Sequence, residues 1–142
     1  MAHIDPPNEE LRKLLTDAKS IAVVGASSKP ERPSHGIMRR LKAQGYRVIP
    51  VNPNETEVLG EKAYPTLQAI PERVDIVDVF RRSEATPPIA DGAVEIGARA
   101  LWLQQGVMNE QAAARAKTGG LAVVMDRCIA VALAELQIPK KT

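Results

Sequence analysis

Five short apolar runs punctuate the chain: SIAVVGA (Ser20–Ala26), YRVIPV (Tyr46–Val51), VDIVDVF (Val74–Phe80), RALWLQ (Arg99–Gln104) and LAVVM (Leu121–Met125). Segments with helical spacing lie before and between them. Asn8 to Ala18 places Leu11, Leu14 and Leu15 on one face, with Asn8, Glu9 and Glu10 suited to a helix start. A second helix from Ser34 to Gln44 aligns Ile37, Met38 and Leu41 and stops at Gly45. Pro87 and Pro88 open a third, at positions where proline is tolerated, and it runs to Ile96, where Gly97 stops it. Asn109 caps a fourth that ends at Gly119 and Gly120, and Ile129 to Leu136 forms the last. The stretch NPNETEVLGEKAY reads as a long loop with a very short strand near Tyr64, and Thr66 begins a short helix that stops before Pro71. Strands alternating with helices imply βαβ units and a parallel sheet. The expected fold class is α/β: a Rossmann-like three-layer fold with a mostly parallel sheet of five to six strands.

Length and composition agree with one such domain. The 142 residues are read as residues 1–19, an N-terminal helix and tail, residues 20–136, the core, and residues 137–142, a frayed basic tail. Aromatic residues are only 3%, so the core must be aliphatic, as in buried parallel strands. The same scarcity leaves little to stack on bases, and a net charge of +2 gives no basic patch, so nucleic acid is not an expected partner. No apolar run approaches the ~20 residues needed to cross a bilayer, and MAHIDPPNEE has no apolar core of a signal peptide. A single cysteine, Cys128, fits a reducing, cytoplasmic setting. A monomer or weak homodimer is expected.

Ligands of open α/β sheets bind beyond the carboxyl ends of the strands, where the strand order reverses. Five loops qualify here. In the first, Gly25 permits a sharp turn, Ser27 and Ser28 offer hydroxyls, Lys29 offers a cation, and the following helix start can receive a phosphate. The same residues would also serve as an ordinary βα turn. Only one glycine is present, so the three-glycine dinucleotide fingerprint is missing. In the second, Asn52 and Pro53 stand where an NAD site carries the carboxylate that holds the ribose. Pro53 could wall an adenine, or NPN could be a plain turn. In the third, Arg81 and Arg82 follow the strand, either as forks for phosphate oxygens or as solvated charge. The fourth carries Gln104, Gln105 and Gly106. The fifth carries Cys128 beside Arg127 and near a helix start, surroundings that favour a thiolate. A small buried hydrophobe is the alternative for Cys128. Trp102 is expected in the core, His3 in a mobile tail, and His35 near a helix start. No metal-ligand cluster is readable.

The ordered set IAVVGASSKPERPSHGIMRRLKAQGYRVIPVNPNETEVLGEKAYPTL, VDIVDVFRRSE, ALWLQQGV and VMDRC resembles the stand-alone bacterial and archaeal CoA-binding proteins. These are similar to the N-terminal domain of the succinyl-CoA synthetase α-subunit. The resemblance spans Ser20 to Leu136. It implies a Rossmann-type domain that binds coenzyme A or an acyl-CoA, a small-molecule ligand. It also implies that Gly25, Ala26, Ser27 and Lys29, with Ser28 beside them, cradle the pyrophosphate. Val51, Asn52 and Pro53 would flank the adenosine. Phe80, Arg81 and Arg82 would line its other side, Gln104, Gln105 and Gly106 would follow the pantetheine arm, and Cys128 would lie near the thiol. One departure stands out. The synthetase has a lysine after the strand-two proline for the ribose phosphate, whereas PNETE places Glu55 there, and a carboxylate repels phosphate. The synthetase's second α-domain has no counterpart in this sequence, so the resemblance carries binding rather than ligation.

A binding module is therefore the leading expectation. The alternatives are a nicotinamide-dependent oxidoreductase or a Cys128-dependent acyl transferase, and a mixed disulfide between Cys128 and CoA. A 3′-phosphorylated adenosine calls for cations and no ribose-binding carboxylate, which matches Lys29, Arg81, Arg82 and the residues after strand two.

Overall fold

A computed structural model describes residues 2–141. The elements run α1 (Asn8–Asp17), β1 (Ser20–Val24), α2 (Pro33–Gln44), β2 (Arg47–Val51), β3 (Glu57–Val58), β4 (Glu61–Lys62), β5 (Ile76–Val79), α3 (Thr86–Glu95), β6 (Ala100–Leu103), α4 (Glu110–Thr118), β7 (Ala122–Val124) and α5 (Ile129–Glu135). Five strands form one parallel sheet in the order β2-β1-β5-β6-β7. The five apolar runs are those five strands. The long loop folds as the β3–β4 hairpin, and Tyr64 adds one bridge to Val51 at the sheet edge. The helix expected at Thr66 is a single 3-10 turn, Leu67–Ala69.

Alternation along the strands divides the interior into two apolar layers. Ile21, Val23, Ile76, Ala100, Trp102 and Val124 face α1, α2 and α5. Ala22, Val24, Val77, Val79, Leu101 and Leu103 face α3 and α4. Every residue of β1, β5 and β6 is buried, as expected when helices cover both faces of a parallel sheet. Trp102 lies wholly in the core, and its indole N–H donates to the Arg127 carbonyl at 2.8 Å. Asn109 caps α4, accepting from the Ala112 N–H at 2.8 Å.

Both chain ends depart from expectation. The C-terminal residues are packed, not frayed. Ile138 is buried, the Lys141 N–H donates to the Gln44 carbonyl at 2.8 Å, and the Lys141 ammonium reaches the Thr16 carbonyl at 2.6 Å. Thr142 lies outside the described residues. His3 is likewise fixed. Its N–H donates to Glu110 at 2.7 Å and its ring pairs with Asp5 at 2.6 Å, while Asp5 accepts from the Met125 N–H at 3.0 Å. In both cases a polar-looking terminus finds partners remote in sequence, Glu110 for His3 and the ends of α1 and α2 for Lys141, which composition does not reveal.

β2 is an edge strand containing Pro50, which has no N–H to offer. The Pro50 carbonyl accepts from the Tyr64 N–H at 3.0 Å, and the Asn52 N–H donates to the Tyr64 carbonyl at 2.9 Å. Among the described residues no helix is long and apolar enough to cross a membrane.

Candidate functional site

The chain proceeds from β1 outward to β2, then returns to place β5 on the other side of β1. That reversal opens a crevice beyond the carboxyl ends of β1 and β5. Strand-end hydrogen bonds bring its rims together. The Gly25 N–H donates to the Val51 carbonyl at 2.9 Å, and the Phe80 N–H donates to the Val24 carbonyl at 2.8 Å.

Gly25 has φ +89°, and a Cβ there would overlap the Phe80 carbonyl. Only glycine permits this approach without strain. The Arg81 side chain crosses the same turn, with its Cδ 3.2 Å from where that Cβ would sit. Ala26 is fully buried. The Ser27 hydroxyl accepts from the Lys29 N–H at 3.1 Å, and Lys29 itself is exposed. Asn52 donates its amide to the Ala26 carbonyl at 2.8 Å and accepts from the Asn54 N–H at 2.9 Å. The residue replacing the ribose-binding carboxylate thus ties the second loop to the first.

A cavity of about 280 Å³ opens at this point. Val24 and Val51 form its floor, Pro53 and Arg81 its mouth, and Leu67 and Ile89 its walls. Pro65, Thr66, Gln68 and the first turns of α3 complete it. Of the expected site residues, Val51, Pro53 and Arg81 line this cavity. The α3 wall was not legible in the sequence, because which helix covers a strand end depends on crossover geometry. A wider groove of about 600 Å³, bordered by His3, Arg99, Lys117 and Leu121, lies at the amino ends of β6 and β7, away from the five loops.

The remaining expected residues spread along the rim. Phe80 is half-buried and packs against the α2–α5 layer. Arg82 points into solvent, its side chain 88% exposed, and pairs loosely with Glu84 at 3.3 Å. Gln105 and Gly106 are exposed, and Gly106 has φ +86°. Cys128 is half-buried and occupies the N-cap of α5. Gln104 is 4% exposed, with its side-chain amide donated inward to Asp78.

Three acidic groups organise the site beyond the expected set. Asp78 is fully buried in β5, and burial pushes its carboxyl up to about 8 against the opposing pull of the Gln104 hydrogen bond. Its other oxygen, Oδ2, has no hydrogen-bond partner among the described residues. The signal was visible as an Asp inside VDIVDVF, but not the face it would take. Asp126, in the left-handed region at φ +55°, accepts from the Gly106 N–H at 2.7 Å and so joins the fourth and fifth loops. Glu55 accepts from Ser28 at both the backbone N–H (2.8 Å) and the hydroxyl (3.1 Å).

Comparison with known proteins places this geometry. The Bacillus subtilis (strain 168) protein YneT is 45% identical over 128 residues, covering 90% of this chain and 95% of its own. The ADP-forming acetate–CoA ligase II of Archaeoglobus fulgidus is 30% identical over 95 residues, covering 66% of this chain, which spans only 14% of the ligase. A solved hypothetical protein from Pyrococcus horikoshii OT3 superposes with a TM-score of 0.90 at 38% identity, covering 96% of this chain and 99% of that one. With a match over residues 19–134, the chain belongs to the CoA binding domain family.

Proposed function

We propose that this protein is a cytoplasmic binding module for coenzyme A or an acyl-CoA and carries no ligase chemistry of its own. The observation that supports it most is the cavity at the strand-order reversal. It has apolar walls and an arginine at its mouth. On the loop beside it, Asn52 stands where a nicotinamide site would carry a carboxylate, its amide donated to the Ala26 carbonyl. Its volume lies near the small end of the range for ligand clefts, about 300–1,000 Å³. That is room for a nucleobase, with the rest of the ligand extended over the rim.

In this reading the adenine enters between Pro53 and Ile89. The pyrophosphate lies against Gly25–Lys29 and the start of α2. Among the described residues that helix has no side-chain cap and no acidic residue in its first turn, so its positive dipole end suits an anion. Arg81 and Lys29 supply the charge for the ribose phosphate. The pantetheine arm follows Gln105 and Gly106 toward Cys128. Gln104 then acts through its backbone and its link to Asp78 rather than by touching the arm with its amide. The coenzyme would supply the thiol; the protein's residues bind and orient it.

Calorimetric titration with CoA, dephospho-CoA and NAD tests the proposal. CoA should bind most tightly and NAD most weakly. NAD binding equal to or stronger than CoA would overturn it.

A further inference from the structure

The first loop already holds an anion of its own. The Glu55 carboxylate takes the Ser28 backbone N–H and hydroxyl, donors that a ligand phosphate would otherwise find free. The arrangement is built rather than incidental. The Glu55 N–H donates to the Asn52 carbonyl at 3.2 Å, and the Asn52 side chain grips both Asn54 and Ala26. Among the described residues Glu55 has no ion-pair partner within 4.0 Å, and neither do Lys29, Arg32 or Arg81. The carboxylate's negative charge is therefore spent on the loop, and the site's cations stay available.

Charge-assisted hydrogen bonds of this kind are roughly twice as strong as neutral ones. A phosphate seeking Ser28 must displace one anion with another and tolerate the displaced carboxylate nearby. A small anion gains nothing else to offset that exchange. A ligand anchored by its base in the adjoining cavity does. We propose that Glu55 is a specificity-determining residue that closes the phosphate loop to unanchored anions and yields to an adenosine-anchored polyphosphate. This inference rests on the CoA-binding reading.

The test uses Glu55→Gln, which keeps an acceptor for the Ser28 N–H but removes the charge, and Glu55→Ala, which removes both. Calorimetry would compare inorganic pyrophosphate, ADP, CoA and adenosine on wild type and both variants, with melting curves to verify folding. Losing the competing charge should tighten pyrophosphate binding about tenfold, given the strength of hydrogen bonds to charged groups. CoA should gain less and adenosine nothing, so selectivity for CoA over pyrophosphate falls. If wild type binds CoA but neither variant gains affinity for pyrophosphate, Glu55 is a loop staple and this inference fails alone. If wild type binds no CoA, the functional reading fails and takes the inference with it.

Discussion

A Cβ atom on Gly25 would lie 2.3 Å from the carbonyl oxygen of Phe80. This is backbone against backbone, so no side-chain rotation relieves it, and Gly25 also sits at φ +89°. Gly25→Ala is expected to destabilise the fold by about 2 kcal/mol or more, combining left-handed strain with overlap at the crevice. Urea denaturation gives the value. A loss below about 0.5 kcal/mol would mean that the two loops separate easily.

Arg81 and Arg82 are adjacent in sequence but unequal in place. Arg81 lies over the glycine turn at the cavity mouth, whereas Arg82 is in solvent beside Glu84. Arg81→Ala should weaken CoA binding by about tenfold, the value of one charge-assisted bond. Arg82→Ala should change it less than about twofold, as for exposed pairs. Reversal of that ranking in titrations would move the phosphate site outward along the loop.

Asp78 makes stability depend on pH in a particular direction. In the folded protein burial holds its carboxyl at about 8, whereas an unfolded Asp titrates near about 3.9. Between those values the unfolded chain gives up the proton and the folded chain keeps it. The stability this group contributes is complete below about pH 4 and is lost as pH rises through about 8. Asp78→Asn cannot ionise. Its melting temperature relative to wild type should therefore rise between pH 5 and pH 8, by about 3 °C or more. Parallel pH profiles for the two proteins would show that Asp78 ionises freely.

The C-terminal segment contributes to the fold. Ile138 is buried, and Lys141 packs where a Cβ on Gly45 would come within 2.7 Å of it. Deleting residues 138–142 should cost about 1.5–3 kcal/mol, the burial of one large aliphatic side chain. Thermal melting of the truncated protein would measure it, and an unchanged midpoint would contradict the packing described.

What the sequence revealed was whatever depends on local order. SIAVVGA reads as a strand ending in a turn because four apolar residues precede a glycine, and Asn109 reads as a cap because its side chain serves a donor three residues on. Ile89 and Gly92 belong to the cavity only because α3 shares its lining with Val24 and Val51 from the ends of β1 and β2, a relation no local pattern encodes. Glu55 was legible as a charge opposed to phosphate, but its grip on Ser28 needs the first two loops side by side. The anchoring of His3 and Lys141 is hidden for the same reason: their partners, Glu110 and Gln44, are remote in sequence.

Pro50 has a consequence for the protein in crowded solution. An exposed strand margin invites a neighbouring chain to add its own strand and begin a fibril. Here the outermost strand lacks a donor at Pro50, and the nearest carbonyl is already claimed by Tyr64. A second molecule arriving at that flank meets a broken ladder, so this end of the sheet resists stacking into aggregates.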